Sequence, residues 1–409
     1  MAEIAAGALV AEQIVSTGIQ AAAVATVAKP TQLLKASLSQ IAATPGHDSS
    51  LALARSRHSI TVIGNKAYIF GGESADGQLS STDIHAIAVP SEDRPSDVDY
   101  ACYPAVAATD KDTATDTPGP SARTAHAACA RHKSLIIHGG RDKHGNDIDE
   151  ASVLWVWDSE KVQWTKIQSN GLEAPGSISD HHIFFDEKQD ILVLHGGKRQ
   201  PGRDEEASQS SDTWLFDFTR AVWSQLPSAP GPSLNAALVN ETLYCIGAES
   251  EVSGSIHFLK IDALDRALRW SSVDFPTSPL TPGPRPRVGS GLITITTGFG
   301  RNYLVYFFGS RDGEFCSDLW SLQLPSDGLS ASNIKDTVRD KVPGVDSGSF
   351  SWSEMEIAPT EPKQADGKAH PGPRGFFGAD LCGGKGVVFW GGINAKGETE
   401  SDGWLLQLS

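Results

Sequence analysis

The sequence lacks any excess of basic charge: 34 Lys and Arg stand against 50 Asp and Glu, for a formal net charge of −16. That balance excludes nucleic acid and anionic membrane as partners, because binding their phosphates requires a basic surface. Cysteine is sparse and unpatterned. The five residues (Cys102, Cys129, Cys245, Cys316 and Cys382) are odd in number, far apart and without a CxxC spacing. Three of them fall inside apolar strand patterns, which reads as buried free thiols in a reducing compartment, so a cytoplasmic protein is expected. Motifs of catalysis are also missing. No GxSxG, P-loop or dinucleotide fingerprint stands in a βαβ context, so those chemistries have no support.

Uninterrupted apolar runs long enough to cross a bilayer are absent too. Ile14 to Ala28 is rich in Ala and Val, but Glu12 and Gln13 break the stretch. Glu3 stands where a secretory leader needs Lys or Arg. The pattern predicts a helix from about Glu3 to Ala28, stopped by Lys29-Pro30, making residues 1–30 an N-terminal accessory unit.

What the chain has in plenty is Gly (40) and Pro (23), spread at intervals as in a turn-rich all-β protein. A phrase recurs six times: YIFGG (Tyr68 to Gly72), IIHGG (Ile136 to Gly140), VLHGG (Val193 to Gly197), YCIGA (Tyr244 to Ala248), YFFGS (Tyr306 to Ser310) and VFWGG (Val388 to Gly392). Each is followed by a second apolar segment, such as SVLWVWD or SDLWSLQL, and most by a later Trp (Trp164, Trp223, Trp270, Trp352). Before each comes a Pro/Gly turn and a strand of small residues, as in PGPSARTAHAACA and PGPRGFFGADL. Small residues suit strands that converge on an axis, the Gly pair ends a strand where no side chain fits, and the Trp offers a large face for packing between units.

These residues resemble the Kelch motif, over roughly Leu34 to Ser409. The resemblance implies an all-β, six-bladed Kelch β-propeller on residues 31–409, with blades at about 50–105, 118–168, 172–227, 228–275, 281–356 and 371–409. Two blades depart from the pattern, with Gly247-Ala248 and Gly309-Ser310 in place of the diglycine. The last copy ends without an outer strand. Residues 34–41, LLKASLSQI, alternate as a strand should and are expected to supply it, closing the ring.

In such a propeller one face is lined by the lead-in to each innermost strand and by the residues after each Gly pair. The first set here contains Arg57, His58, Arg123, His126, Asp180, His181, Asn235, Arg287, Arg374, Phe376 and Phe377. The second contains Glu73, Arg141, Lys198, Glu249, Arg311, Asp312 and Asn394. Four Arg at corresponding places (Arg57, Arg123, Arg287, Arg374) point to an oxyanion or enolate ligand, with Arg141, Arg311, His58 and Phe376 adding to the binding surface. Glu249, Glu73, His126 and His181 are the candidate proton carriers. The alternative is that Arg at these positions pairs with loop carbonyls or with acids of a neighbouring blade. His138 and His195 precede Gly pairs where other copies carry Phe, Ile or Trp, and are expected to be packing residues.

Plant specifier proteins, which are similar in fold, hold iron through ExxxDxxxH. The comparable stretch here is Glu249, Ser253, His257, so two ligands of three are present and no cofactor is expected beyond that weak iron option. The copper set of galactose oxidase has no counterpart, since the Tyr residues lie mostly in strands. The whole chain looks like a group of intracellular fungal Kelch proteins, some encoded in secondary-metabolite clusters, including that of the terrein pathway. That likeness implies binding or conversion of a small oxygenated polyketide or terpenoid metabolite by a lyase, isomerase or cyclase without a redox cofactor. The alternative is a protein-interaction propeller acting as a non-catalytic scaffold, although no BTB, F-box or coiled-coil module accompanies it.

Overall fold

Six antiparallel four-strand units follow one another along the chain, each running from an innermost strand to an outermost one. The computed structural model describes residues 34–41, 53–89, 100–104, 119–199, 208–247, 255–262, 267–275, 283–297, 300–325, 350–358, 370–384 and 386–408. Among these there is no helix; the helix expected over residues 1–30 lies outside them.

Blade two shows how the sequence makes a unit. Ala127–Arg131 is the inner strand, Ser134–His138 the second, Val153–Asp158 the third and Gln163–Gln168 the outer one. The second strand, SLIIH, is buried almost throughout, because sheets cover both its faces, whereas the outer strand buries Trp164 and exposes most of its other residues. The inner strands of the other blades are Ser59–Ile63, His182–Asp186, Ser233–Val239, Gly291–Thr296 and Gly378–Cys382.

Blades pack through six apolar clusters, one at each seam. The seam between blades one and two, for example, joins Tyr68, Phe70 and Ile84 to Leu135, Ile137, Trp157 and Trp164. The late Trp of a unit packs on the residue before the Gly pair of the preceding blade. Trp164 meets Phe70 at 5.7 Å, Trp223 meets His138 at 5.6 Å and Trp270 meets His195 at 5.6 Å between ring centroids. His138 and His195 are therefore wall residues of the seams.

Ring closure is by the N-terminal strand Lys35–Ile41. It pairs antiparallel with Gly403–Leu408, from Ala36↔Leu408 to Ile41↔Gly403, as the outer strand of blade six. Its buried residues Ala36, Leu38 and Ile41 enter the cores of two seams. One feature was not anticipated: Glu356–Ala358, just past the outer strand of blade five, lies parallel on the far side of the closing strand and makes blade six five-stranded. This covers an edge that would otherwise present unpaired backbone groups.

Candidate binding site at the channel mouth

The segments leading into the inner strands and the residues after the Gly pairs gather on one face, around an axial channel. Three of the arginines expected to hold an anion are engaged inside the protein instead. Arg123, fully buried, donates from Nη1 to the Gly139 carbonyl at 3.0 Å and from Nη2 to Glu150 at 3.0 Å. Arg287 donates to the Phe308 carbonyl at 3.0 Å and to both oxygens of Asp318 at 2.5 and 3.0 Å. Arg374 reaches the Gly391 carbonyl at 3.1 Å and Asp402 at 2.6 Å. Each ties the end of the second strand to the start of the third, so the carbonyl pairing of the alternative reading is realised, but with an acid of the same blade and not of a neighbouring one. The equivalent residue in blade one is Arg55, which reaches the Gly71 carbonyl at 2.9 Å. Arg57 lies two residues further on, and this shift of register sets it apart from the other three.

Arg57 occupies the position of Ala125, Asp180, Gly289 and Phe376, and all five have left-handed backbone, with φ between 52° and 63°. Their peptide groups form a belt around the mouth. Phe376 N–H donates to the Gly289 carbonyl (2.7 Å), Arg57 to Phe376 (2.8 Å), Ala125 to Arg57 (3.0 Å) and Asp180 to Ala125 (2.8 Å). Non-glycine residues tolerate this conformation when surroundings impose it, and such residues concentrate at functional sites.

The belt displays a charged rosette. Asp180 receives Arg57 at 3.3 Å, Arg141 at 3.2 Å and Lys198 at 3.7 Å. Glu73 pairs with Arg57 at 3.2 Å, Asp147 lies 3.5 Å from Arg141, and the Arg57 guanidinium sits 4.2 Å over the Phe376 ring. Thus Arg57, Arg141, Glu73 and Phe376 of the expected site do come together, with Asp180 at the centre. Side chains of Arg57, Arg141 and Asp180 remain about a quarter exposed.

His58, His126 and His181 form the next tier down, each buried against the Gly pair of the preceding blade. Burial holds them in the neutral form: His126 is driven down to about 3, and His58 and His181 fall well below the usual imidazole value. His126 Nε2 meets Ser59 Oγ at 2.9 Å, and His181 Nε2 meets His138 Nδ1 at 2.9 Å. His126 and His181 are thus seam residues, in place of the proton carriers expected. Close fit explains the glycines beside them: a Cβ on Gly71 would stand 2.7 Å from both the His126 ring and the Arg123 carbonyl.

Blade five corrects the placement of Arg311. There the left-handed pair is Phe308 (φ 55°) and Gly309 (φ 94°), matching Gly71 and Gly72 (63° and 93°). Ser310, not Arg311, then follows the pair, and Arg311 ion-pairs with Asp312 at 3.2 Å. Glu249 lies outside the described residues. His257 is buried, with its ring nitrogens at 3.2 Å from Ser255 Oγ and 2.7 Å from Ser272 Oγ, so hydroxyls occupy the atoms an iron would need. Among the described residues, no group of three His, Cys, Asp or Glu side chains is arranged to hold a metal.

Beneath the mouth runs a cavity of about 710 Å³ lined by the inner strands. Asp380 was missed by the sequence reading. It stands mid-way along the inner strand of blade six and accepts the Val62 N–H of blade one at 2.7 Å. Its signal was an acid inside GADLC, a short strand that otherwise carries no charge.

Comparison with known proteins agrees with this architecture. The family described as the KLHDC2/KLHL20/DRC7 Kelch-repeats domain matches residues 126–344, just over half of the chain. Host cell factor 2 of Homo sapiens is 25% identical over 303 residues, 69% of this chain and 32% of that protein. Acyl-CoA-binding domain-containing protein 5 of Arabidopsis thaliana is 23% identical over 246 residues, 59% of this chain and 34% of that protein. The match thus spans about a third of these relatives' length. Among solved structures, that of YjhT aligns with a TM-score of 0.55 and 13% identity, covering 87% of this chain and 97% of the other, a likeness of fold alone.

Proposed function

The chain belongs to the KLHDC2/KLHL20/DRC7 Kelch-repeat family, and on that premise we propose that it is a protein-docking propeller whose partner binds at the channel mouth. The observation that carries this reading is the rosette around Asp180: partly exposed charges of both signs, with an aromatic ring beside them, set at a belt of backbone hydrogen bonds. A rigid surface of this kind loses little conformational entropy on binding and selects partners through charge complementarity. The test is affinity capture with the wild type and with Arg141→Glu, followed by titration of each purified partner. Partners that bind the wild type and lose at least tenfold in affinity with the variant support the reading. An unchanged partner set at unchanged affinity overturns it.

A second reading is favoured by the cavity. Its volume of about 710 Å³ lies within the range of small-ligand pockets, so a small oxygenated polyketide or terpenoid, of the kind the fungal metabolite-cluster likeness implies, could lodge there. Deletion of the gene followed by metabolite profiling tests it; an unchanged metabolome would count against any such role.

A further inference from the structure

Two carboxylates are among the residues lining the axial cavity, and their surroundings differ. Asp180, at the mouth, is matched by Arg57, Arg141 and Lys198. Asp380, on the inner strand three residues past Phe377, lies about 10 Å further in, at roughly 3.3 Å per strand residue. Among the described residues it accepts only backbone N–H groups, Val62 at 2.7 Å on one oxygen and Leu381 at 2.8 Å on the other. No Lys, Arg or His among the described residues forms an ion pair with it. Around it the inner strands contribute Val62, Cys129, Phe184, Ile293 and Leu381 to the same cavity. A carboxylate in an apolar channel without a counter-cation is costly, and a cation supplied from outside relieves that cost.

We propose that the inner part of the axial channel is a binding site for a small organic cation, an ammonium or guanidinium on an apolar body, with Asp380 as its counter-ion. Each Asp380 oxygen has a lone pair beyond the one its backbone donor uses, so an N–H donor can be accepted without breaking the contact to blade one. The apolar walls suit the ligand's hydrocarbon part, and the Phe184 ring gives the channel an aromatic face of the kind that attracts cations. The protein's net charge of −16 raises the local concentration of cations. This proposal concerns the channel below the histidine tier and is independent of what docks at the mouth.

Acidity gives the site a signature. Burial raises the Asp380 carboxyl to about 6, partly countered by its backbone donors. The titratable groups facing it are the Cys129 thiol from blade two and the Cys382 thiol on its own strand; burial pushes Cys129 far up and Cys382 to about 11, so both stay neutral. Affinity for a permanent cation is therefore full above pH 7 and falls as pH drops through about 6.

The experiment titrates the full chain with phenethylamine, 2-phenylethanol and phenylacetate at pH 7.5, by ligand-observed NMR. Phenethylamine is expected to bind at least tenfold tighter than the alcohol, with the acid weakest. Asp380→Asn should remove that preference. Benzyltrimethylammonium on the wild type, which needs no variant to fold, should lose about tenfold in affinity between pH 7.5 and pH 5. Equal binding of amine and alcohol, or a pH-independent affinity, overturns the proposal. So does a variant that merely lowers Tm while the wild type shows no cation preference, since Asp380 would then be only a stitch between blades.

Discussion

Blades two and four are copies of one four-strand repeat, yet their seams are joined by different atoms. At blade two the joints are backbone. Gly72 N–H of blade one donates to the Arg123 carbonyl at 2.9 Å, Gly140 N–H donates onward to the Ile178 carbonyl at 2.9 Å, and the left-handed belt runs past on the axial side. At blade four, among the described residues, the Gly197 N–H forms no such bond, Gly247 is not left-handed, and no residue joins the belt. Side chains stand in. Gln209 Nε2 donates to the Ser233 carbonyl at 2.8 Å, and His195 Nε2 meets Ser233 Oγ at 2.6 Å. On the other side Asn235 Nδ2 donates to the Arg287 carbonyl at 3.0 Å, the group that in other blades receives a glycine N–H. A backbone joint survives most substitutions, whereas a side-chain joint can be lost by one, so the same fold carries a robust region and a fragile one.

The largest effect should come from acid, and it reverses the comparison. The histidines that burial drives down furthest belong to blades one to three: His85 and His138 fall to about 4, and His126 and His195 to about 3. Their unfolded value is about 6.5, so below it the unfolded chain takes up protons that the folded one refuses. Stability is therefore complete above pH 6.5 and is lost as pH falls toward 4. Hydrogen exchange, corrected for the intrinsic rate, should show blade four opening first at pH 7 and blades one to three opening first at pH 5. The same order at both pH values would remove the histidines from the account.

Next in size is the arginine lock of blade two. Arg123→Met leaves the Gly139 carbonyl without its side-chain donor and Glu150 without its cation, and should destabilise by about 3 kcal/mol in urea titration. A change below about 1 kcal/mol would mean that the lock is ornamental.

A matched glycine pair sharpens the contrast. At Gly139 (φ 62°) an added Cβ would stand 2.4 Å from the Ile178 carbonyl and 2.8 Å from the His181 ring, and the backbone carbonyl cannot rotate away. Gly139→Ala should cost about 2 kcal/mol or more. Its counterpart Gly247 is not left-handed, and a Cβ there would meet the Ser255 hydroxyl at 2.9 Å, which can turn, and the His257 ring at 3.1 Å; Gly247→Ala should cost about 1 kcal/mol. Equal Tm shifts for the two would contradict the difference between the blades.

The repeat was legible because propeller packing imposes itself on every copy: a buried second strand, a glycine pair and a Trp recur in sequence wherever they recur in space. The closing strand was legible for the same reason, since KASLSQI alternates. The site was legible only in part. Arg57 and Arg123 read alike in sequence, but a two-residue offset puts one at the mouth and the other in the core. Backbone φ sets that offset, as it does at Phe308, where a Phe takes the place of glycine. The parallel strand Glu356–Ala358 comes one residue after the outer strand of blade five and is only three residues long, too short for an alternation to mark it. Asp380 was passed over because inner strands were read for small residues, not for charge.

The smallest effect is the most specific to blade four. Asn235→Ala removes the donor to the Arg287 carbonyl at 3.0 Å and to Tyr306 Oη at 3.3 Å, and the acceptor of Ser290 Oγ at 3.0 Å. Water can reach part of this seam, so the loss should be about 1–2 kcal/mol rather than the sum of three buried bonds. Its location matters more than its size. Because Asn235 joins blade four to blade five through its side chain, its removal should raise exchange in Ser233–Val239 and Gly291–Thr296, the two inner strands it bridges, and leave Ala127–Arg131 untouched. Asn235→Asp keeps the shape but cannot donate from Nδ2, so it should reproduce the same exchange pattern. If the increase spread evenly around the ring, blade four would be no separate weak point, and the propeller would open as one cooperative unit.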